Sequence, residues 1–287
     1  MKIVKHITFH YCQQAGERVP FMLRIFEAVN SYPYPTDIFI HTNSELTNDL
    51  FVQNNFMNMN EKGTLKIIVH DLTGQNPWYL PWKCRPLLKE QKDDYDIFMY
   101  TENDILIQKY CLDYWLEYKD LVIENKYNLG FFRIEKDEKG DEYTSDSATS
   151  PDGSITCYLT KKVMLDGKDF VLNDDNPHCA FWIYDKNEFN NFVNSDLYDI
   201  NNIKGNYGVC EKSALGLHGL FTDWYKGTII PLVGKNTLHP GSRIYHMANN
   251  YVHRPGGWKL HLFSDVVHIE EQEENRNIEF NIMEELD

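Results

Sequence analysis

The 287-residue chain has no C-x-x-C pair among Cys12, Cys84, Cys111, Cys157, Cys179 and Cys210, and no N-x-S/T acceptor among its many asparagines. Cysteines scattered in this way argue against a zinc ribbon and read as small core hydrophobes in a reducing compartment. No apolar run approaches the roughly 20 residues that a membrane-spanning helix needs. Met1-Lys2-Ile3-Val4 opens as a strand rather than as a signal peptide, so the expected location is cytoplasmic. Positive charge is scarce as well. Only 28 Lys and Arg stand against 43 Asp and Glu, a formal net charge of -15 that disfavours a nucleic-acid or anionic-membrane partner. An anionic small substrate would therefore need a metal or a few focused cations. Two further features are missing: an internal repeat, and a glycine-rich phosphate loop after the first strand, where His10-Tyr11-Cys12-Gln13-Gln14-Ala15-Gly16-Glu17 stands instead.

What the chain does contain is core-forming material, 42% hydrophobic and 14% aromatic, enough for one large α/β domain. Lys2 to Tyr11 reads as a strand, and Val19, Met22, Ile25, Phe26 and Val29 fall at helical spacing before the breaker Tyr32-Pro33-Tyr34-Pro35. Asp37 to Thr42 and Leu65 to Leu72 are further strands, and Arg85-Pro86 opens a helix that leads to the strand beginning at Tyr95. Strand, helix, strand, strand, helix, strand over residues 1–107 is the order of a nucleotide-binding half. In the second half, 108–269, helices are expected at Lys109 to Ile123, Phe189 to Tyr198 and Glu211 to Phe221. Strands are expected at Gly130 to Ile134, Ile155 to Leu159, Cys179 to Tyr184, Ile229 to Val233 and Arg243 to Val252. Glu135 to Ser154 reads as a long charged loop, and 270–287 as an acidic tail.

The most informative stretch runs from Tyr95 through the apolar strand Ile97-Phe98-Met99-Tyr100 into Glu102-Asn103-Asp104. Carboxylates at the carboxyl end of a buried strand put hard oxygen ligands where α/β sheets bind ligands, a setting for magnesium or manganese beside a phosphate. The plainer reading is that they cap the next turn. His246, at the end of Arg243-Ile244-Tyr245, is a candidate further ligand, with His253 in reserve. Arg18, Lys83 and Arg85 are candidate anion-binding groups, the last two following Trp82 at a helix start. His10 and Tyr11 are placed to stack on a nucleobase. Glu211 is either a helix cap or a general base, and Asp174 and Asp175 are alternatives within an Asx-type turn.

Tyr100-Thr101-Glu102-Asn103-Asp104-Ile105 resembles the Y-x-E-D-D-I form of the D-x-D motif in glycosyltransferases of the GT-A fold. Trp82-Lys83-Cys84-Arg85, Tyr114-Trp115, Gly130-Phe131-Phe132-Arg133-Ile134-Glu135, Tyr245-His246 and Asn249-Asn250-Tyr251 follow in the family's order. The resemblance implies a single-domain GT-A, Rossmann-like mixed sheet flanked by helices over 1–269, with a nucleotide-binding half and an acceptor half. It implies that Asp104 and His246 hold Mn2+ or Mg2+ against the diphosphate of a UDP- or GDP-linked sugar, with Glu102 and Asn103 against the donor. Glu211 would be the base of an inverting transfer to a hydroxyl acceptor on a glycan or glycoconjugate. Asn103 stands where a second acid is frequent, which implies weak metal binding or none. Two other readings compete: a nucleotidyltransferase, which would usually carry the missing glycine-rich loop, and a non-catalytic carbohydrate-binding protein on a GT-A-like fold.

Overall fold

The computed structural model describes residues 1–12, 15–56, 60–144, 146, 158–173, 177–203, 208–217, 226–253 and 261–269. Cys157, Asp174, Asp175, the tail from 270 and parts of the expected 135–154 loop, 155–159 strand and 211–221 helix lie outside the described residues.

The first half alternates strand and helix: β1 (Ile3–Phe9), α1 (Val19–Ser31), β2 (Thr36–Thr42), α2 (Leu46–Gln53), β3 (Leu65–Val69), α3 (Arg85–Glu90), β4 (Ile97–Glu102) and the short β5 (Ile105–Leu106). The second half follows with α4 (Lys109–Glu124), β6 (Asn128–Leu129), β7 (Phe132–Lys136), β8 (Glu142–Thr144), β9 (Lys162–Leu165), β10 (Lys168–Asn173), β11 (Phe181–Asp185), α5 (Lys186–Asn194), α6 (Val209–Ser213), β12 (Thr228–Gly234), β13 (Thr237–Leu238), β14 (Arg243–His246) and β15 (His261–Leu262).

The main sheet has the order β11-β4-β1-β2-β3, parallel throughout except for β11, which runs antiparallel to β4. Every residue of β1 and β2 is buried, as expected of parallel strands covered on both faces. One face is covered by α1, through Met22, Ile25, Phe26 and Val29, and by α4, through Leu112, Trp115 and Tyr118. The other is an aromatic stack in which Phe98 lies 3.9 Å from Phe189 and Tyr100 lies 5.8 Å from Trp182, ring centre to ring centre. Rings offset in this way bury large areas and fix orientation at once. Two smaller sheets, β13-β12-β10-β9 and β15-β8-β7-β14-β5, complete the mixed α/β fold with flanking helices that the sequence leads one to expect. Among the described residues no helix is long and apolar enough to cross a membrane.

Several elements differ from expectation: β8 falls within the expected 135–154 loop, and the strand expected from Arg243 to Val252 ends at His246. The helical pattern from Glu211 stops at Ser213: Gly216 takes φ +55 and the Leu217 amide donates to the Tyr184 hydroxyl at 2.6 Å, which turns the chain away. The β9–β10 hairpin was not anticipated, although Asp166 (φ 46) and Gly167 (φ 71) form the two-residue left-handed turn that such hairpins favour. Helix α2 was also missed, so the first half contains one more helix than expected.

Candidate active site

Asn103 and Asp104 form the tight turn between β4 and β5. β5 pairs antiparallel with β14, opposing Ile105 to His246, and the Met247 amide donates to the Asp104 carbonyl at 2.8 Å. Strand pairing therefore brings the two candidate metal ligands together across 142 positions of chain. Asp104 is 7% exposed. Its Oδ2 receives Arg18 Nη1 at 2.6 Å and lies 3.5 Å from His246 Nε2, while Oδ1 is buried with no hydrogen-bond partner. Arg18, just ahead of α1, thus reaches the site from the first half of the chain.

Behind His246 stands Glu135, which local sequence pattern marks only as a strand end and the start of a charged loop. It is 3% exposed; one oxygen bonds His246 Nδ1, and the other accepts from the Tyr251 amide at 2.9 Å and the Val252 amide at 2.8 Å. Two positions back on β7, Arg133 forks onto Asp146 through Nε at 2.9 Å and Nη2 at 2.7 Å. Phe132 and Ile134 pack into an apolar cluster, so the alternation of β7 puts Arg133 and Glu135 together on the opposite face. That period-2 pattern was the available signal for both residues.

The electrostatics follow from burial and proximity. Burial raises the Glu102 carboxyl above the usual carboxylate range, and the neighbouring Asp104 charge raises it further. Burial acts on Asp104 in the same sense, but the hydrogen bond and charge of His246, together with Arg18, outweigh it and hold the carboxyl low. For His246, burial works against the charged ring, yet the bonds to Asp104 and Glu135 prevail and push it up to about 9. Near neutral pH the ring is thus an imidazolium between two carboxylates, and a cation arriving at Nε2 displaces a proton.

A divalent cation fits these donors. Asp104 Oδ1 is bare, His246 presents Nε2 to the same carboxylate, and Arg18 occupies only the other oxygen. Among the described residues no three His, Cys, Asp or Glu side chains form a ready-made cage, so the rest of a shell would come from water or a bound ligand.

The remaining candidates fall into two groups. His10 lies beside Trp78, ring centres 5.7 Å apart, its Nε2 buried without a partner and its pKa lowered by burial; the Tyr11 amide donates to Asn43 Oδ1 at 2.8 Å. Both stand at the carboxyl end of β1. Trp82 donates Nε1 to the Val209 carbonyl at 2.7 Å, tying its segment to α6, and Lys83 is half-buried near His70. Arg85, expected to meet a phosphate, faces inward instead: it is 4% exposed, enclosed by Trp82, Phe192 and Tyr198, and bonded through Nη2 to the Ser213 carbonyl at 3.0 Å. Glu211 is exposed and folds back on the start of α6, its Oε2 so near Gly208 that a Cβ there would lie 2.2 Å away. The adjoining Cys210 thiol reaches Glu102 Oε1 at 3.5 Å, which places α6 at the rim of the site. His253 is exposed. A cavity of about 290 Å³ opens beside His246, lined by Arg24, Gln108, Tyr110, Lys136, Tyr245 and Asn249 among others.

No protein-family model matches the chain, and no curated protein matches it. Among solved structures it is similar to S. aureus TarS, with 9% identity over 88% of this chain and 63% of a shorter TarS chain at a TM-score of 0.44. Against a longer TarS chain it shows 10% identity over 88% of this chain and 37% of that one, at 0.42. It is also similar to 4-diphosphocytidyl-2C-methyl-D-erythritol synthase from Anaerococcus prevotii, with 7% identity over 84% of this chain and 88% of that one, at 0.36. The chain spans less than two thirds of either TarS chain, and below a TM-score of 0.5 none of these likenesses carries an argument about activity.

Proposed function

We propose that the chain is a glycosyltransferase that moves a sugar from a UDP- or GDP-linked donor to a hydroxyl of a glycan or glycoconjugate, with inversion and with Mn2+ or Mg2+ bound. The observation that carries this reading is the bare, buried Oδ1 of Asp104, set between Arg18 and His246 in the turn after β4. A carboxylate oxygen kept from water and left unpaired is a costly arrangement that a bound ion would satisfy.

Transfer to an acceptor breaks the bond between the anomeric carbon and the diphosphate oxygen, which keeps the electron pair, and forms a bond from the acceptor oxygen to that carbon. The cation, held by Asp104 and His246, would supply charge neutralisation for the departing diphosphate. Arg18, paired with Asp104 Oδ2, adds a second positive charge on the same side. Glu211 takes the acceptor proton as the acceptor oxygen attacks. His10, Tyr11, Trp82, Lys83, Glu102 and Asn103 line the donor side, at the carboxyl ends of β1 and β4 and in the segment that covers them. In this reading 1–107 is the nucleotide-binding half and 108–269 the acceptor half. The free cysteines suit a cytoplasmic setting.

Calorimetry with UDP, GDP and CDP, with and without Mn2+, tests the proposal, followed by a screen of nucleotide sugars for Mn2+-dependent hydrolysis. One nucleotide should bind in a Mn2+-dependent manner, and its sugar should be released. Pyrophosphate release from a nucleoside triphosphate and a sugar phosphate would assign a nucleotidyltransferase instead, and no binding of any nucleotide would leave a carbohydrate-binding protein.

A further inference from the structure

We infer that Glu135 is a positioning residue for His246: it fixes the ring so that Nδ1 keeps its proton and Nε2 is the nitrogen offered to the ion. The inference rests on the proposed function, since it concerns how that cation site is held. Glu135 and His246 lie on the neighbouring parallel strands β7 and β14, whose register pairs Ile134 with Tyr245 and sets the two side chains next to each other. An ionised carboxylate can only accept hydrogen bonds, so its contact with Nδ1 requires a proton there. Its second oxygen is occupied by the Tyr251 and Val252 amides, which leaves the carboxylate no freedom to rotate away. The Tyr251 ring, 5.7 Å from His246, and Arg133, 5.9 Å from Tyr251, close the back of the histidine. One buried carboxylate therefore joins the ligand to the turn that follows it, and its negative charge makes the distal nitrogen a stronger donor.

Glutamine at 135 would separate these functions. Its carbonyl oxygen can keep the two backbone amides, but its NH2 must then face Nδ1, which becomes an acceptor and shifts the ring proton to Nε2. Calorimetric Mn2+ affinity, measured with the full chain alone and with a nucleoside diphosphate present, should fall about 10- to 100-fold in Glu135→Gln. In a His246→Ala background the same change should alter affinity less than about twofold, because the residue through which it acts is gone. Additive losses in the double variant would assign Glu135 a merely structural role and overturn the inference. Should Glu135→Gln fail to fold, Glu135→Asp replaces it in the same cycle, with the same non-additivity expected. If Asp104→Ala and His246→Ala both leave Mn2+ affinity unchanged, the cation site falls and the Glu135 role with it; if they weaken it and Glu135→Gln does not, only the Glu135 role falls.

Discussion

Asp104 carries an imbalance that decides what can be asked of single residues. A buried polar atom without a partner costs roughly 1–3 kcal/mol, and here it is one oxygen of a carboxylate whose other oxygen is doubly attended. Mn2+ should therefore raise the melting temperature of the protein and fail to do so in Asp104→Asn, which keeps shape and loses charge. The same variant should lower Mn2+-dependent donor hydrolysis by about 100-fold or more, with an unchanged circular dichroism spectrum. Retained hydrolysis would remove Asp104 from the ion. Glu211 calls for a different measurement, because its fold-back onto Gly208 describes a cap as well as it describes a base. In Glu211→Gln, nucleotide affinity should hold while transfer to an acceptor falls about 10²- to 10⁴-fold; unchanged transfer would return the residue to capping. Asp104 and His246 stand out as candidates because each follows a strand-like stretch, Ile97-Phe98-Met99-Tyr100 and Arg243-Ile244-Tyr245. Glu135 does not, because it opens a run dense in Lys, Asp and Glu, and only the alternation of Phe132 and Ile134 marks it as facing inward. Arg85 misled for the converse reason: next to Trp82 and Lys83 it reads as exposed, and only the fold reveals the aromatic rings that enclose it.

Among the elements, the parallel strands β1, β2 and β3 carry a feature that no periodicity announces. His6, His41 and His70 form a row through the sheet: His6 Nδ1 meets His41 Nε2 at 2.8 Å, His41 Nδ1 meets His70 Nε2 at 2.8 Å, and His6 Nε2 meets Gln91 Oε1 at 2.9 Å. The Gln91 oxygen fixes the direction, each neutral ring donating from Nε2 and accepting at Nδ1, so an extra proton on either buried ring sets donor against donor. Burial pushes the His6 ring down to about 3 and the His41 ring down to about 2, the neighbouring histidines assisting at His41; His70 is lowered by burial and by Lys83. The sign follows from the direction of these shifts. Folded values below the ordinary 6.5 mean that the unfolded chain binds more protons, so the row's contribution is complete above about pH 6.5 and is lost as pH falls toward 3. Urea unfolding at pH 7, 6, 5 and 4 should show stability decreasing by on the order of 1 kcal/mol per pH unit for each buried ring, and a shallower slope in His41→Gln. Equal slopes in the two proteins would clear the row of any part in acid sensitivity. His246 works with the opposite sign: its contribution is present below about 6.5 and lost as pH rises through about 9, so the two windows do not overlap. The strands that hold this row were readable from their apolar runs, whereas their order and register arise from long-range pairing that no local pattern encodes.

At the scale of the whole molecule, the net charge of -15 and the local charges of the site bear on the same question, how the proposed anionic donor would bind. The site is no cationic funnel. Arg133 is taken up by Asp146, Arg18 by Asp104, and His246 by Asp104 and Glu135, so these three positive charges are matched by carboxylates within hydrogen-bonding or ion-pair reach. A nucleoside diphosphate approaching without a divalent cation meets a nearly balanced site inside a strongly negative body, and the long-range repulsion is cut off only within the Debye length, about 10 Å at 0.1 M salt. Raising the salt from 10 to 150 mM in the presence of EDTA should therefore leave nucleoside diphosphate affinity unchanged or strengthen it, the reverse of what a basic cleft gives. Mn2+ should improve the affinity at least about tenfold at either salt concentration, because it adds positive charge beside cations that carboxylates already match. A steep fall of affinity with salt in EDTA would instead require that Lys83, or Arg18 released from Asp104, bind the diphosphate directly. The donor would then be held by side chains alone, and Asn103, at the place where a second acid is frequent, would be the residue that had signalled it.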